Sequence, residues 1–211
     1  MQAEPRSTRS TSRRSPTAEE RQRDAERSRA RLLDAALEEF SRRGFAGTRV
    51  QDIAARAGVN AQLISYYFGG KAGLYRALHE SWLETETGFA DPELSLEELM
   101  TAYLRAVLED PRRARLLLWA GLADDPSDSD TAPQARTGPR DIADLERRQS
   151  AGELAPDLDP AIFQIAIMGL ILAPLSLPQV VRELTGSEPT DPEFARRFTA
   201  ELTKILRHLA P

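Results

Sequence analysis

Between Thr48 and Lys71 the chain gathers side chains suited to reading a DNA duplex: TRVQDIAARAGVNAQLISYYFGGK. Gln62 offers an amide that can pair bidentately with adenine, and Asn60 can reach a base or a phosphate. Ser65, Tyr66 and Tyr67 supply hydroxyls for phosphates or base edges. Ala61 is small enough to meet a thymine methyl, and Lys71 can meet a phosphate as a point charge. Thr48 and Arg49 stand where the stretch begins and complete the candidate contact set. Other chemistries are poorly supplied. The chain has no cysteine, so disulfides and thiolate metal sites are excluded. It has two histidines, and the HESW sequence at His79 lacks the second histidine of a zinc-protease helix. A Gly-rich phosphate loop and a nucleophile elbow are also missing. The expectation is a protein that is not an enzyme and needs no cofactor or metal.

Such side chains need short, well-placed helices. Thr48 followed by Gln51 matches a capping box and predicts a helix from near Val50, with Arg49 and Asp52 as a competing register. Val50, Ile53, Ala54 and Ala57 recur at helical spacing and form one apolar face. Gly58 stands where a left-handed residue ends a helix, a conformation cheap only for glycine. Val59 can plug the gap, and Asn60 is a good N-cap for the next helix. Ile64 and Phe68, four apart, face inward and leave Ala61, Gln62, Ser65 and Tyr66 outward. Helix, glycine turn, helix is the helix-turn-helix arrangement. A purely structural hairpin has no need of amides and tyrosines on its exposed side.

The remaining chain predicts an all-α protein. Residues 1 to 26 are rich in Arg, Ser and Thr and nearly free of apolar side chains, so disorder is expected. Arg6, Arg9, Arg13 and Arg14 form either a DNA-contacting arm or a frayed tail. Residues 27 to 43 read as a helix with Leu33, Leu37 and Phe40 inward, Leu32 and Ala36 beside them, ended by Gly44. Phe45 reads as a core plug. A longer helix follows from 71 to about 89, with His79 at a surface or between domains. Ser95 with Glu98 opens another to about 108, and Asp110-Pro111 the next, to about 123. Residues 124 to 139 read as an acidic loop, followed by a helix over 140–151. The segment 160–184 is apolar nearly all round, with Pro174 and Pro178 expected to kink or break it. Residues 191–209 form the last helix.

Charge divides along the chain. Residues 27 to 71 carry eight basic and four acidic side chains, whereas residues 72 to 211 carry fourteen and twenty-four. A basic end on an acidic protein suits phosphate binding, which is electrostatic and local. The longest apolar run, 162 to 177, is cut by Gln164, Gly169, Pro174 and Ser176, short of the roughly 20 residues a membrane span needs. No secretory signal is visible, and a cytoplasmic protein is expected.

Residues 27 to 80 resemble the DNA-binding domain of the TetR family of bacterial transcriptional regulators. The run LLDAALEEFSRRGFAGTRVQDIAARAGVNAQLISYYFGGKAGLYRAL carries the likeness. Two positions depart from the family pattern: Asn60 where serine is common, and Ser65 where tyrosine is common. The resemblance implies an N-terminal three-helix DNA-binding domain over 27–80. A helical ligand-binding and dimerisation domain would cover 81–211, and a tail 1–26. It further implies a ligand-responsive repressor that binds a near-palindromic double-stranded operator as a homodimer. Two helices from each subunit would build the contact, with Ile167, Leu170, Ile171, Phe198, Leu202 and Ile205 as candidates. A ligand cavity would draw on Trp82, Met100, Tyr103, Trp119, Phe163 and Met168. The scarcity of charge among these suggests an apolar small-molecule effector. The competing expectations are a non-specific architectural DNA-binding protein and a helical enzyme.

Overall fold

The computed structural model describes residues 17–88, 91, 93–123 and 142–209. The tail arginines and the loop at 124–139 lie outside the described residues. Those described form ten helices and no strand. They are α1 Ala18–Gly47, α2 Val50–Ala57, α3 Gln62–Phe68, α4 Lys71–Thr87 and α5 Leu96–Glu109. The second half holds α6 Pro111–Leu122, α7 Ile142–Ser150, α8 Pro160–Ser176, α9 Pro178–Thr185 and α10 Pro192–Leu209.

α1 starts well before the expected residue 27, so a boundary at 26/27 falls inside a helix. Its start is a capping box. Thr17 Oγ1 accepts from the Glu20 amide at 3.2 Å, and the Glu20 carboxylate accepts from the Thr17 amide at 2.7 Å. Ion pairs one turn apart, Arg23 to Glu19 and Arg27 to Asp24, support helix where little apolar surface is buried. Disorder was inferred there from low hydrophobicity alone, which overlooks this local stabilisation. Gly44 does interrupt α1, with φ 68° and ψ 179°, after which one more turn forms. The conformation is left-handed in φ, and the site is crowded as well. A Cβ there would lie 3.1 Å from Cε3 of Trp119 in α6.

Two cores form. The first joins α1, α2, α3 and α4 through Leu32, Phe40, Ile53, Ile64 and Leu74, all fully buried. Phe40, Phe45 and Tyr75 stack against one another with ring centroids 5.1–5.9 Å apart. The second joins α5 to α8 and α10 through Met100, Leu104, Leu145, Phe163, Ile167 and Leu202. α6 belongs to both: Leu116 lies in the first core and Ala114 in the second. Its polar side chains tie the seam, with Arg112 2.9 Å from Asp34 and the Trp119 indole donating to the Ser41 carbonyl at 3.1 Å. The second core has a charged keystone, Arg148, which is 1% exposed. It donates to Asp144, Glu153 and the Leu94 carbonyl, linking α7 to the start of α5.

α8 continues through Pro174 to Ser176. The break comes at Leu177, ahead of Pro178, where the residue before a proline leaves the helical region. α8 and α9 meet there at a 77° bend. Among the described residues no single helix is long and apolar enough to cross a membrane.

Candidate nucleic-acid interface

α2 and α3 meet through a turn set by Gly58, whose φ of 65° and ψ of 38° lie in the left-handed region. Its amide closes α2, and the Val59 amide bonds back to the Ala54 carbonyl at 3.1 Å. Asn60 Oδ1 accepts from the Gln62 amide at 2.8 Å, so the expected capping role holds, although the helical span begins only at Gln62. Ile64 is fully buried. That anchors α3 and turns its other side outward. Asn60, Gln62, Ser65 and Tyr66 are exposed, Tyr66 by 79%. Arg49, just before α2, is exposed too.

Other expected contacts are placed differently. Thr48 is 2% exposed. Its hydroxyl lies 2.8 Å from the Gly44 carbonyl and 3.1 Å from that of Glu39, fastening the end of α1. The residue before α2 is Arg49, with no side-chain cap. Thr48 therefore neither caps α2 nor offers its side chain to DNA, because its hydroxyl satisfies buried carbonyls. Ala61 and Tyr67 are half-buried against the first core. The Tyr67 ring makes an edge contact with Tyr66 at 5.0 Å, which supports the more exposed ring. Lys71 Nζ lies 4.5 Å above the Phe45 ring and 3.5 Å from the Ala46 carbonyl. Burial lowers its pKa below the usual lysine value.

Sequence reasoning passed over two features that hold the site. Gly73 in α4 lies so close to the end of α3 that a Cβ would sit 1.6 Å from the Phe68 carbonyl oxygen. Its signal was an isolated glycine inside a helical pattern. Glu39 is 4% exposed and binds Arg56 of α2 at 2.6 Å, with Arg43 3.3 Å away, so a buried carboxylate locks α1 to α2.

In the second half, the residues expected to line one cavity are dispersed. Met100 and Phe163 are core, and Tyr103 packs on that core while donating to Glu86 at 2.5 Å. Trp82 lies under the Arg113 guanidinium at 5.6 Å, and Met168 is half-buried on α8. Trp119 instead sits on the seam against Gly44, because the α6 indole fills space that only a glycine leaves. The expected dimer residues also divide. Ile167, Ile171 and Leu202 are 3%, 7% and 1% exposed, inside the chain's own core, with Leu170 and Phe198 packed on it. Ile205 remains 43% exposed. The large apolar side chains open on α8 and α9 are Ile162, Ile165, Leu177, Val180 and Leu184.

A buried inner face, an outward amide and phenol face, and a glycine turn define a helix-turn-helix regulator that binds DNA. Residues 32–78 match the model of bacterial regulatory proteins of the tetR family, and residues 95–204 match that of a tetracyclin repressor-like C-terminal domain. The chain belongs to the TetR family of transcriptional regulators, whose members are not enzymes. It is 29% identical over 170 residues to the HTH-type transcriptional repressor SCO4008 of Streptomyces coelicolor, covering 78% of this chain and 86% of that one. It is likewise 29% identical over 190 residues to the regulator RutR of Escherichia coli K12, covering 83% and 86%. Among solved structures, a transcriptional regulator from Streptomyces coelicolor, SCO4942, superposes with a TM-score of 0.68 at 25% identity. That match covers 87% of this chain and 98% of the other.

Proposed function

We propose that the protein is a ligand-responsive repressor that binds a near-palindromic operator as a homodimer. The observation that carries this is the exposure of Gln62, Ser65 and Tyr66 on a helix whose Ile64 is fully buried. Each subunit sets α3 into one major groove. Two-fold symmetry then requires half-sites one helical turn apart, about 34–36 Å, or a multiple of it. Arg49 and Asn60 flank the base-reading residues, while Lys71, Ala61 and Tyr67 support them from half-buried positions. The DNA-binding unit extends to about residue 80, and the helices beyond it form the dimer and hold an apolar effector. An effector that prefers the state unfit for DNA shifts the population and releases the operator. A role on the chromosome places the protein in the cytoplasm.

Selection of bound fragments from genomic DNA, followed by competition binding, tests this. The expected result is a recurring two-fold sequence that outcompetes random DNA by at least about 10³, the lower end for specific binding. Equal affinity for selected and random fragments would show an architectural role instead.

A further inference from the structure

α1 touches three parts of the molecule in order. Its middle lies against α6, where Asp34 meets Arg112 at 2.9 Å and the Ser41 carbonyl meets Trp119. Just before that it straddles the helix-turn-helix. The Arg29 guanidinium carbon lies 5.3 Å from the Phe68 ring at the end of α3. On the other side, Arg31 lies 3.6 Å from where a Cβ would stand on Gly58. The segment 18–28 therefore leaves the domain on the side away from α6 and the second core. At about 1.5 Å per residue it reaches roughly 16 Å past Arg29.

That projecting segment has one face without carboxylates. Ala18, Arg21, Gln22, Ala25, Ser28 and Arg29 recur at spacings of three and four that continue into Leu32, Ala35 and Ala36. The acids Glu19, Glu20, Asp24 and Glu26 occupy the rest of the circumference. There Glu19 pairs with Arg23 and Asp24 with Arg27. Among the described residues Arg21 and Arg29 have no carboxylate partner. Two small alanines on the same face allow close approach to another surface.

We propose that this face of α1 is a second DNA contact: it runs along the phosphates flanking the half-site, with Arg21 and Arg29 as the charged contacts. Charge complementarity and continuity with α3 favour a duplex over other occupants. The proposal rests on α3 being the groove helix. It adds affinity without base preference, since phosphates carry no sequence information.

Anisotropy titration of the full chain over a range of salt tests it. Two duplexes are used, one with long flanks around the selected operator and one trimmed to the half-site edges. The double variant R21A/R29A is expected to lower the slope of log affinity against log salt by about 2 on the long duplex, at about 0.9 per phosphate. On the trimmed duplex the slope should hardly change, and base preference should be kept on both. An unchanged slope on the long duplex, or an equal loss on both, overturns the proposal. Because Arg29 packs on Phe68, R21A alone guards against a folding artefact. It should lower the slope by about 1 at an unchanged melting temperature, and R21K should restore it; no change with R21A also overturns it. If the wild-type chain prefers no selected fragment, the reading of α3 fails; if it does and only the arginine variants are silent, this contact alone fails.

Discussion

Gln62 and Tyr66 share one exposed face, yet removing each should have a different consequence. Gln62→Ala is expected to relax preference at one base position at a cost of about 1–3 kcal/mol, read by competition among operator variants. Tyr66→Phe should weaken all sequences alike if its hydroxyl holds a phosphate. A variant that only lowers thermal stability would show that its side chain does not face the duplex. His79 makes a separate prediction. Burial, and then the charge of Arg113, push its pKa below the usual histidine value, and its buried Nε2 has no hydrogen-bond partner in the protein. The unfolded chain takes up a proton near pH 6.5 that the folded chain refuses. Stability from this group is therefore whole above about pH 6.5 and is lost as pH falls toward the lowered folded value. Replacing it, as His79→Gln, should reduce the loss of urea stability between about pH 7 and pH 5.5, and an identical loss in variant and wild type would refute the assignment.

At the scale of elements, the join between α3 and α4 decides whether the reading face is presented at all. Helix propensity alone says that Gly73→Ala should stabilise α4 by about 1 kcal/mol. The Cβ would meet a backbone carbonyl at 1.6 Å, which no rotamer change relieves. Overpacking should win, at a net cost of about 3 kcal/mol in chemical denaturation, with DNA affinity falling as α3 is pushed from its seat. A stabilised variant would mean that α4 shifts freely against α3. Most element boundaries were legible because caps are local. Ser95 with Glu98 forms the expected capping box, and Asp110 and Asp159 cap the helices that start with proline. Thr17 with Glu20 obeys the same rule, but apolar content was the wrong guide to a helix held by caps and ion pairs. Thr48 was misplaced for the opposite reason: a matching spacing does not say where its hydroxyl finds a buried carbonyl.

Across the whole molecule, α6 is the part shared by the DNA-binding and regulatory cores, through Leu116 on one side and Ala114 on the other. A change in the second core therefore has a packed route to Gly44 and the end of α1. Subunit pairing is also a question of this scale. Ile165 is 66% exposed and Ile167 only 3%, two positions apart on one helix. If the open face of α8 pairs two chains, Ile165→Glu should yield a folded monomer by sedimentation, with a stability change of at most about 0.5 kcal/mol per chain, as for a surface site. Ile167→Glu should unfold the chain, because it buries an unpaired charge. A dimeric Ile165→Glu protein would move the contact elsewhere.

What the residues settled unaided were the properties carried by neighbours a few positions apart: helix starts, the glycine turn, and the outward set of Asn60, Gln62, Ser65 and Tyr66. Those depend on caps and on three-to-four spacing, which the chain supplies locally. Packing alone decided that Thr48 is inside, that Trp119 rests on Gly44, and that Ile167 rather than Ile165 faces the core. A helix apolar on every side has no periodicity to choose a face, so the choice falls to distant elements that compete to cover it.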